Sequence, residues 1–270
     1  MLPYEIQANL RSKYNPDGSE LRIMQLRMLD MLIFFDRFCS ENHLSYWLDS
    51  GTLLGAARHG GFIPWDDDTD IGMTRNDALK LKALMGDKVF EGKYILQTSE
   101  TDSNYVNSSW YTLRDITTEY IQDSYLHNRL KYRGLQIDIF IFEQGVSPIL
   151  KRLATGFQQR LVVSPLLGTR YKFLRPCVNM LHRSFESIIA PLFRIIRYNN
   201  FWQKGYGNPF GKPNATSVMF PLSKICFEGY EFKAPANVPA YLSTMYGNDW
   251  NTIPSEENIV THGVKFRFID

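Results

Sequence analysis

The sequence has few cysteines, no long apolar run and almost no net charge, and each of these absences excludes a class of protein. Its three cysteines, Cys39, Cys177 and Cys226, are too few and too far apart for a disulfide framework or a structural zinc site. No uninterrupted run of about 18 apolar residues is present, so we predict no membrane-spanning helix. The formal net charge is +2 over 270 residues, and nucleic acid is not expected as a partner.

The composition is that of an ordinary globular protein. Hydrophobic residues make up 44% of the chain and charged residues 21%, which is enough to build a core without disulfide or metal support. The start of the chain lacks a basic stretch followed by an apolar one, so no signal peptide is predicted. A reducing cytoplasm is therefore the expected location.

The densest acidic cluster lies within residues 46–73. Its members are Asp66, Asp67, Asp68 and Asp70. Carboxylates this close repel one another, so a fold tolerates them mainly where a cation binds. If residues 69–73 form a strand, the side chains of Asp68 and Asp70 point to the same face, roughly 6.6 Å apart along the strand. One Mg²⁺ can bridge that gap, and we predict Mg²⁺ or Mn²⁺ as the cofactor.

A strand, a tight turn and a helix come just before this cluster. Tyr46-Trp47-Leu48 is typical of a short buried strand, Asp49-Ser50-Gly51 of a turn, and Thr52 to Arg58 of a helix. The first amides of a helix have no partner within it, so this arrangement forms a cradle for an anion. Ser50, Gly51 and Thr52 are therefore predicted to bind a phosphate on one side of the metal site.

The same stretch resembles the signature of a known family. From Arg58 to Asp68 the sequence reads RHGGFIPWDDD, and Gly51-Thr52 and Asp68-Thr69-Asp70 stand at the expected spacing. This pattern is similar to that of the LicD and fukutin-related family, which belongs to the nucleotidyltransferase superfamily that includes DNA polymerase β. The resemblance extends over roughly residues 20–254 and is absent from the basic middle of the chain.

The resemblance implies a fold. It is an α+β nucleotidyltransferase (DNA polymerase β-like) fold, with a mixed sheet flanked by helices. Residues 1–270 would form a single catalytic domain, and residues 149–204 a helical basic insert within it.

The clearest predicted strand, residues 135–142, contains one acid in an otherwise nearly apolar run. A buried carboxylate without a cation or a donor beside it is costly, so Asp138 needs such a partner. The resemblance implies that Asp138 is the third metal ligand beside Asp68 and Asp70, and an ion-paired core aspartate is the alternative. Asp138 or Asp66 would also accept the proton of an attacking hydroxyl.

Further donor-binding residues are implied by position. Residues 106–120 are predicted to form a hairpin with a turn near Asp115. Arg114 lies there and resembles a basic residue that the family has at this place. A guanidinium binds phosphate oxygens in a bidentate manner, so Arg114 is expected to bind phosphate; a surface arginine is the alternative. Arg58 and His59, at the end of the helix after Gly51, are expected to contact the donor substrate, which carries the phosphate groups. Lys224 is expected to reach the phosphates of that substrate.

The basic middle of the chain hides a strong charge asymmetry. Residues 149–204 contain ten Lys or Arg residues and one acid, Glu186. Pro165, Pro176 and Pro191 are predicted to divide this segment into short helices. One interpretation is a set of helices at a membrane interface, with the protein peripheral to the inner face of the membrane. The other is a helical subdomain packed over the sheet with a solvated basic face.

Periodicity predicts the remaining elements. They are an extended arm over residues 1–19, helices over 20–42, 75–84 and 238–246, a strand over 94–97, and a hairpin over 227–232.

The resemblance implies a reaction at phosphorus. A phospho-alcohol, such as phosphocholine or ribitol phosphate, would move from its CDP ester to a sugar hydroxyl of a surface glycan or of its lipid-linked precursor, and CMP would leave. The expected partners are thus a CDP-alcohol donor and a glycan acceptor. Two alternatives stay open: a true nucleotidyltransferase that adds NMP, and a non-catalytic Ca²⁺-binding or scaffold protein. The run from Asp66 does begin like an EF-hand loop, but Ile71 stands where that loop requires glycine.

Overall fold

A mixed β-sheet flanked by helices forms the centre of the protein. The structure is a computed structural model that describes residues 2–107, 109–121, 124, 126–162, 171–195, 197–259 and 265–269. The main sheet has the strand order β1-β2-β6-β4-β3, and β7 pairs with the last residues of β6. The strands are β1 (Tyr46–Leu48), β2 (Asp70–Thr74), β3 (Tyr94–Gln97), β4 (Trp110–Asp115), β5 (Thr118–Ile121), β6 (Gln136–Gln144), β7 (Trp202–Lys204), β8 (Ser223–Phe227), β9 (Tyr230–Ala234) and β10 (Lys265–Phe268).

Parallel and antiparallel pairs both occur in this sheet, which confirms the predicted mixed α+β class. β2 and β6 run parallel, whereas β1 with β2, β3 with β4, β4 with β6 and β6 with β7 run antiparallel. The helices are α1 (Tyr4–Tyr14), α2 (Glu20–Glu41), α3 (Ser50–His59), α4 (Arg75–Met85), α5 (Pro148–Phe157), α6 (Arg175–Ser184), α7 (Ala190–Ile195), α8 (Thr216–Met219) and α9 (Val238–Tyr246).

Helix α2 covers one face of the sheet, as its apolar periodicity predicts. The side chains of Met24, Met28 and Phe35 are almost completely buried in the main core. Ser19 caps the helix by accepting a hydrogen bond from the amide of Arg22, so the helix begins where the sequence indicates. The long α2 thus fixes the back of the sheet on which the acidic residues lie.

The prediction of an extended arm before α2 is wrong. Residues 4–14 form helix α1, none of whose residues is buried. Hydrogen bonds connect this part of the chain to α3: the amide of Leu2, just before α1, and the side chain of Gln7 both donate to the carbonyl of Arg58. Tyr14 adds an edge contact to the Trp65 ring, 5.2 Å between centroids.

The predicted hairpin over residues 106–120 is also wrong. Strands β4 and β5 form with a turn after Asp115, but they do not pair with each other. β4 lies between β3 and β6 in the main sheet, and β5 pairs with β10. The alternating pattern identified the strands, whereas their partners are set by segments distant in sequence.

The basic segment is helical over most of its described length. Pro176 occupies the second position of a helix, where a missing amide costs little. The predicted break at Pro191 is wrong, because the chain stays helical from Arg175 through a π-helical turn to Ile195. Pro165 lies outside the described residues. The expectation of a helical insert up to residue 204 is wrong at its end, because Trp202–Lys204 form β7 of the main sheet. The described residues contain no helix with the length and apolarity of a membrane span.

The predicted C-terminal elements are confirmed. β8 and β9 form a hairpin whose turn residues Glu228 and Gly229 have φ angles of 49° and 85°. Helix α9 ends at Gly247, as the sequence predicts.

Candidate active site

Asp70 and Asp138 are direct neighbours on two parallel strands. They are register partners in the pairing of β2 with β6, and adjacent strands lie about 4.8 Å apart. The amide of Asp138 donates to the carbonyl of Thr69 over 2.9 Å, which fixes this register. The structure therefore brings together the two carboxylates that the sequence assigns to separate strands.

Polar side chains hold the Asp138 carboxylate in place. The hydroxyl of Thr112 donates to Oδ1 over 3.0 Å, and the side-chain amide of Gln136 donates to Oδ2 over 3.3 Å. Burial raises the pKa of Asp138, while the cation of Arg114 and the Thr112 hydrogen bond oppose that rise. Asp138 is thus a partly buried carboxylate with ordered neighbours and without a direct ion pair in the described part of the chain.

Asp66 and Asp68 approach the same point from the loop before β2. A Cβ atom placed on Gly51 would lie 2.8 Å from Oδ2 of Asp66 and 4.0 Å from Oδ1 of Asp68. β2 begins at Asp70, one residue later than predicted, so Asp68 belongs to the loop. Asp66, Asp68 and Asp70 nevertheless cluster beside the first turn of α3.

The carboxylates of this cluster destabilise one another's ionised form. Burial, and next the charge of Asp68, raise the pKa of both Asp66 and Asp70 well above the ordinary value. Lys204 partly offsets this for Asp70. Asp70 is buried, Asp66 is partly buried and Asp68 is exposed, and mutually repelling acids in such a group favour a bound cation.

The carboxylate oxygens of the cluster suit a hard divalent cation for which the protein supplies only some of the ligands. No group of three or more His, Cys, Asp or Glu side chains in the described residues is arranged to hold a metal ion as it stands. Mg²⁺ commonly binds one or two carboxylates and keeps water or substrate phosphate as its other ligands. The oxygen-only set of Asp68, Asp70 and Asp138 fits that mode.

The N-terminus of α3 faces this cluster and is locked to the start of β2. The amide of Asp70 donates to the hydroxyl of Thr52 over 2.8 Å, and the amide of Asp49 donates to the carbonyl of Asp70 over 3.1 Å. Ser50 has a φ of 47°, an unfavourable conformation for a residue other than glycine. The Asp49 side chain does not cap the helix, so the first amides of α3 stay available to an anion.

Lys204 is a site residue that the sequence did not single out. Its ammonium donates to Oδ2 of Asp49 and to the hydroxyl of Ser50, each over 2.9 Å, and lies 3.3 Å from the centroid of the Phe140 ring. The hydroxyl of Tyr241 donates to the other oxygen of Asp49. No pattern in the sequence separates Lys204 from the other basic residues around it.

Arg114 lies behind Asp138 and is buried, so the alternative of a surface arginine is wrong. Its guanidinium donates to the side chain of Gln97 over 2.8 Å and to the carbonyl of Gly134 over 2.9 Å. It also lines a cavity of about 250 Å³ next to Asp138, together with His127. A direct contact of Arg114 with phosphate stays a prediction.

Arg58 and His59 lie at the far end of α3 from Gly51. The guanidinium of Arg58 donates to the carbonyls of Trp250 and Thr252, and its Nε donates to Nε2 of His59. Burial and the Arg58 cation lower the pKa of His59 to about 3. The structure gives both residues contacts with the two ends of the chain rather than with the acidic cluster.

Lys224 lies on the exposed face of the β8–β9 hairpin and pairs with Glu231. The structure does not bring Lys224 to the acidic cluster within the described residues. Its role in binding phosphate stays a prediction.

Two tyrosines complete the surroundings of the cluster. The hydroxyl of Tyr120 donates to Oδ2 of Asp67 over 3.3 Å. Burial, and next the carboxylates of Asp49, Asp70, Asp66 and Asp68, raise the pKa of Tyr246 at the end of α9. Elements from both halves of the chain therefore contribute to this site.

Glu228, in the turn of the β8–β9 hairpin, holds the loop before the acids. It accepts hydrogen bonds from the amide of Phe62 and from Arg22, with which it forms a largely buried ion pair. A Cβ on Gly61 would lie 2.2 Å from its carboxylate, so a larger residue there would displace the Glu228 side chain from these contacts. The loop that leads to Asp66 is thus fixed by α2 and by the hairpin.

Comparisons with known proteins agree on one family. The family model described as "LicD/FKTN/FKRP, nucleotidyltransferase domain" matches residues 43–162. The lipopolysaccharide cholinephosphotransferase LicD of Haemophilus influenzae is 25% identical over 279 aligned residues, which cover 92% of this chain and 98% of that protein.

Two further similarities are local. An uncharacterized protein of Rickettsia prowazekii is 50% identical over 46 residues, 17% of each chain. The human ribitol 5-phosphate transferase FKRP is 54% identical over 41 residues, 15% of this chain and 8% of that protein. The chain therefore spans only a small part of the ribitol phosphate transferase and nearly the whole of the cholinephosphotransferase.

Proposed function

Because residues 43–162 match the LicD/FKTN/FKRP family model, we propose that this chain transfers a phospho-alcohol from a CDP-activated donor to a sugar hydroxyl and releases CMP. The phospho-alcohol is phosphocholine, ribitol phosphate or a related group, and the acceptor is a surface glycan or its lipid-linked precursor. The similarity to a cholinephosphotransferase over 92% of the chain supports the choice of reaction. We also propose that α3, β2 and β6 form the centre of a nucleotidyltransferase fold.

The observation that carries this proposal is the pairing of Asp70 with Asp138 beside the first turn of α3. Two carboxylates on neighbouring strands would hold a divalent cation, and the unpartnered helix amides opposite would bind phosphate oxygens, so that a diphosphate between them is oriented. A non-catalytic role would not require Gly51 to leave room for Asp66, or a buried lysine beside the same turn.

In the proposed reaction the acceptor hydroxyl attacks the phosphorus next to the alcohol. The new bond joins the sugar oxygen to that phosphorus, and the bond to the bridging oxygen of the diphosphate breaks, so CMP leaves with its electron pair. Asp138 or Asp66 accepts the proton of the hydroxyl. The amides of Gly51 and Thr52 bind the diphosphate, and Lys204 holds Ser50 in the conformation that aims them.

When bound by Asp68, Asp70 and Asp138, Mg²⁺ or Mn²⁺ would supply positive charge to the phosphate oxygens of the donor and to the departing nucleotide. The protein's own contribution is to place the carboxylates and the helix amides around the same diphosphate.

Product analysis tests the proposal against nucleotidyl transfer. The purified chain is incubated with Mg²⁺, with CDP-choline, CDP-ribitol and each NTP in turn, and with glycan acceptors. We expect CMP from at least one CDP-alcohol, and labelled phospho-alcohol on the acceptor. Pyrophosphate from an NTP, without CMP from any CDP-alcohol, would instead support addition of NMP, and an Asp68→Ala variant with full turnover would refute both reactions.

A further inference from the structure

Exposed apolar side chains are concentrated on one segment of the chain. Of the 26 large apolar side chains that are exposed in the described residues, 14 lie between Ile149 and Phe210. Soluble proteins usually scatter such side chains singly, and a concentration of them indicates a surface that is covered by a partner.

Helices in this segment are apolar on two sides. On the inner side, Ala154 of α5 and Ala190 of α7 belong to a small core with Phe185. On the outer side of α5, Ile149 and Leu153 are 73% and 62% exposed, and their spacing of four residues places them on one face. One face of each helix therefore stabilises the subdomain, and the other has no cover in the described protein.

The outer side of α7 follows the same plan. Leu192 and Ile195, three residues apart, are 56% and 75% exposed. The π-helical turn Phe185–Ile189 leads into α7 and adds Ile188, which is 62% exposed.

Unpaired cations accompany these apolar faces. Arg152, Arg160 and Arg197 are exposed and form no ion pair with any residue that the structure describes. Two cations of the segment, Arg194 paired with Glu143 and Lys204 paired with Asp49, are largely buried. The exposed charge of the helices is thus of one sign.

We propose that the outer face of α5 and α7, with Arg152, Arg160 and Arg197, docks the protein on an anionic bilayer. Such a surface offers both partners that this face requires: acyl chains for the aliphatic side chains, and phosphates for the guanidinium groups. A second copy of the chain would place two positively charged faces against each other, which is unfavourable. Long arginine side chains can reach phosphates while their neighbours enter the acyl boundary.

Vesicle flotation with the full chain tests this surface without any donor or acceptor. Two lipid mixtures are compared, phosphatidylcholine alone and phosphatidylcholine with phosphatidylglycerol. We expect the protein to float with the anionic vesicles, to stay behind with the neutral ones, and to lose binding as the salt concentration rises. Because the readout needs no turnover, its outcome is independent of the proposed transfer reaction.

Matched variants locate the contact. The double variant Ile149→Asn with Leu153→Asn is expected to weaken binding at least about tenfold, because two aliphatic side chains no longer leave water. Arg152→Gln is expected to weaken it about fivefold. The control, Leu79→Asn with Leu84→Asn, alters two exposed leucines of α4 outside the segment and is expected to leave binding unchanged. Thermal unfolding of each variant identifies any that is misfolded, and Leu192→Asn with Ile195→Asn then replaces a misfolded α5 variant.

Several results would overturn the proposal. They are no flotation with either mixture, equal flotation with both, or no loss in folded variants of α5 and α7. A dimer in solution that the α5 variant disrupts, without vesicle binding, would assign the face to a second copy. Binding of an acidic protein in place of vesicles would assign it to a protein partner.

Discussion

The ammonium of Lys204 lies 2.9 Å from the carboxylate of Asp49, and neither side chain is accessible to solvent. The pair joins β7, far along the chain, to the turn that opens α3. Removing one member of a buried pair leaves a charge without a partner, which usually destabilises a protein by about 3–5 kcal/mol.

We therefore expect Lys204→Met to lower the free energy of unfolding by about 3–5 kcal/mol, measured by urea denaturation. Adding Asp49→Asn removes the stranded charge and is expected to recover part of the stability but not the transferase activity, because Ser50 loses the ammonium that holds it. If the double variant regained turnover, Lys204 would have no role in positioning Ser50 for the reaction and would act only on stability.

Neutralising either register partner is expected to abolish transfer. Asp70→Asn and Asp138→Asn each remove one carboxylate from the proposed diphosphate and metal site, and we expect CMP release to fall at least about a thousandfold. Asp87→Asn, in an exposed loop, is the matched control and is expected to retain activity. Activity close to wild type in Asp138→Asn would exclude a role for Asp138 in catalysis.

The free energy of unfolding of the metal-free protein is expected to fall as pH rises. Burial and the charge of Asp68 raise the pKa of Asp66 and Asp70, so the folded protein binds protons that the unfolded chain has already lost. Between the ordinary carboxyl pKa and the raised pKa values, the contribution of these two groups to the free energy of unfolding therefore decreases as pH rises.

Melting temperatures measured across this pH range, with EDTA and with Mg²⁺, check the prediction. Mg²⁺ binds the ionised acids, so its stabilising effect is expected to grow as pH rises. Asp68→Asn removes the repelling neighbour and is expected to stabilise the metal-free protein by about 1 kcal/mol while it abolishes activity. An Mg²⁺ effect that shrinks with rising pH would contradict this account.

Gly51→Ala is expected to damage the site more than the fold. The added Cβ would lie 2.8 Å from Oδ2 of Asp66, so the carboxylate must move away from the helix. We expect at least about a tenfold loss of CMP release, with a small change in melting temperature. Gly156→Ala in α5, where no heavy atom lies within 4 Å of the added Cβ, is the matched control and is expected to change neither property.

The sequence predicted those parts of the site that local pattern determines. Asp138 was recognisable because it is the one acid in an otherwise nearly apolar strand, and Gly51 because a turn and a helix follow a buried strand. The resemblance to the LicD signature then linked them to Asp68 and Asp70, and the register of β2 with β6 confirms that Asp70 and Asp138 meet.

Contacts between distant segments were not predictable in the same way. Lys204 is separated from Ser50 by 154 positions, and nothing in its surroundings indicates a strand that pairs with β6. Arg58 and His59 were assigned to the donor because they follow Gly51 closely in sequence. Both residues belong to the last turn of α3, where the charge of Asp66 still acts on Arg58, and their contact with the donor stays a prediction.

The contacts of Glu228 have a consequence for how the chain can be divided. The family model ends at residue 162, yet Glu228 holds the loop before Asp66, and Lys204 and Tyr241 neutralise and orient Asp49. A fragment cut at the end of the matched region would therefore expose an unneutralised Asp49 and an unsupported loop. The matched region is therefore not expected to fold into a working site by itself, because residues after position 200 hold the turn and the loop that carry its acidic side chains.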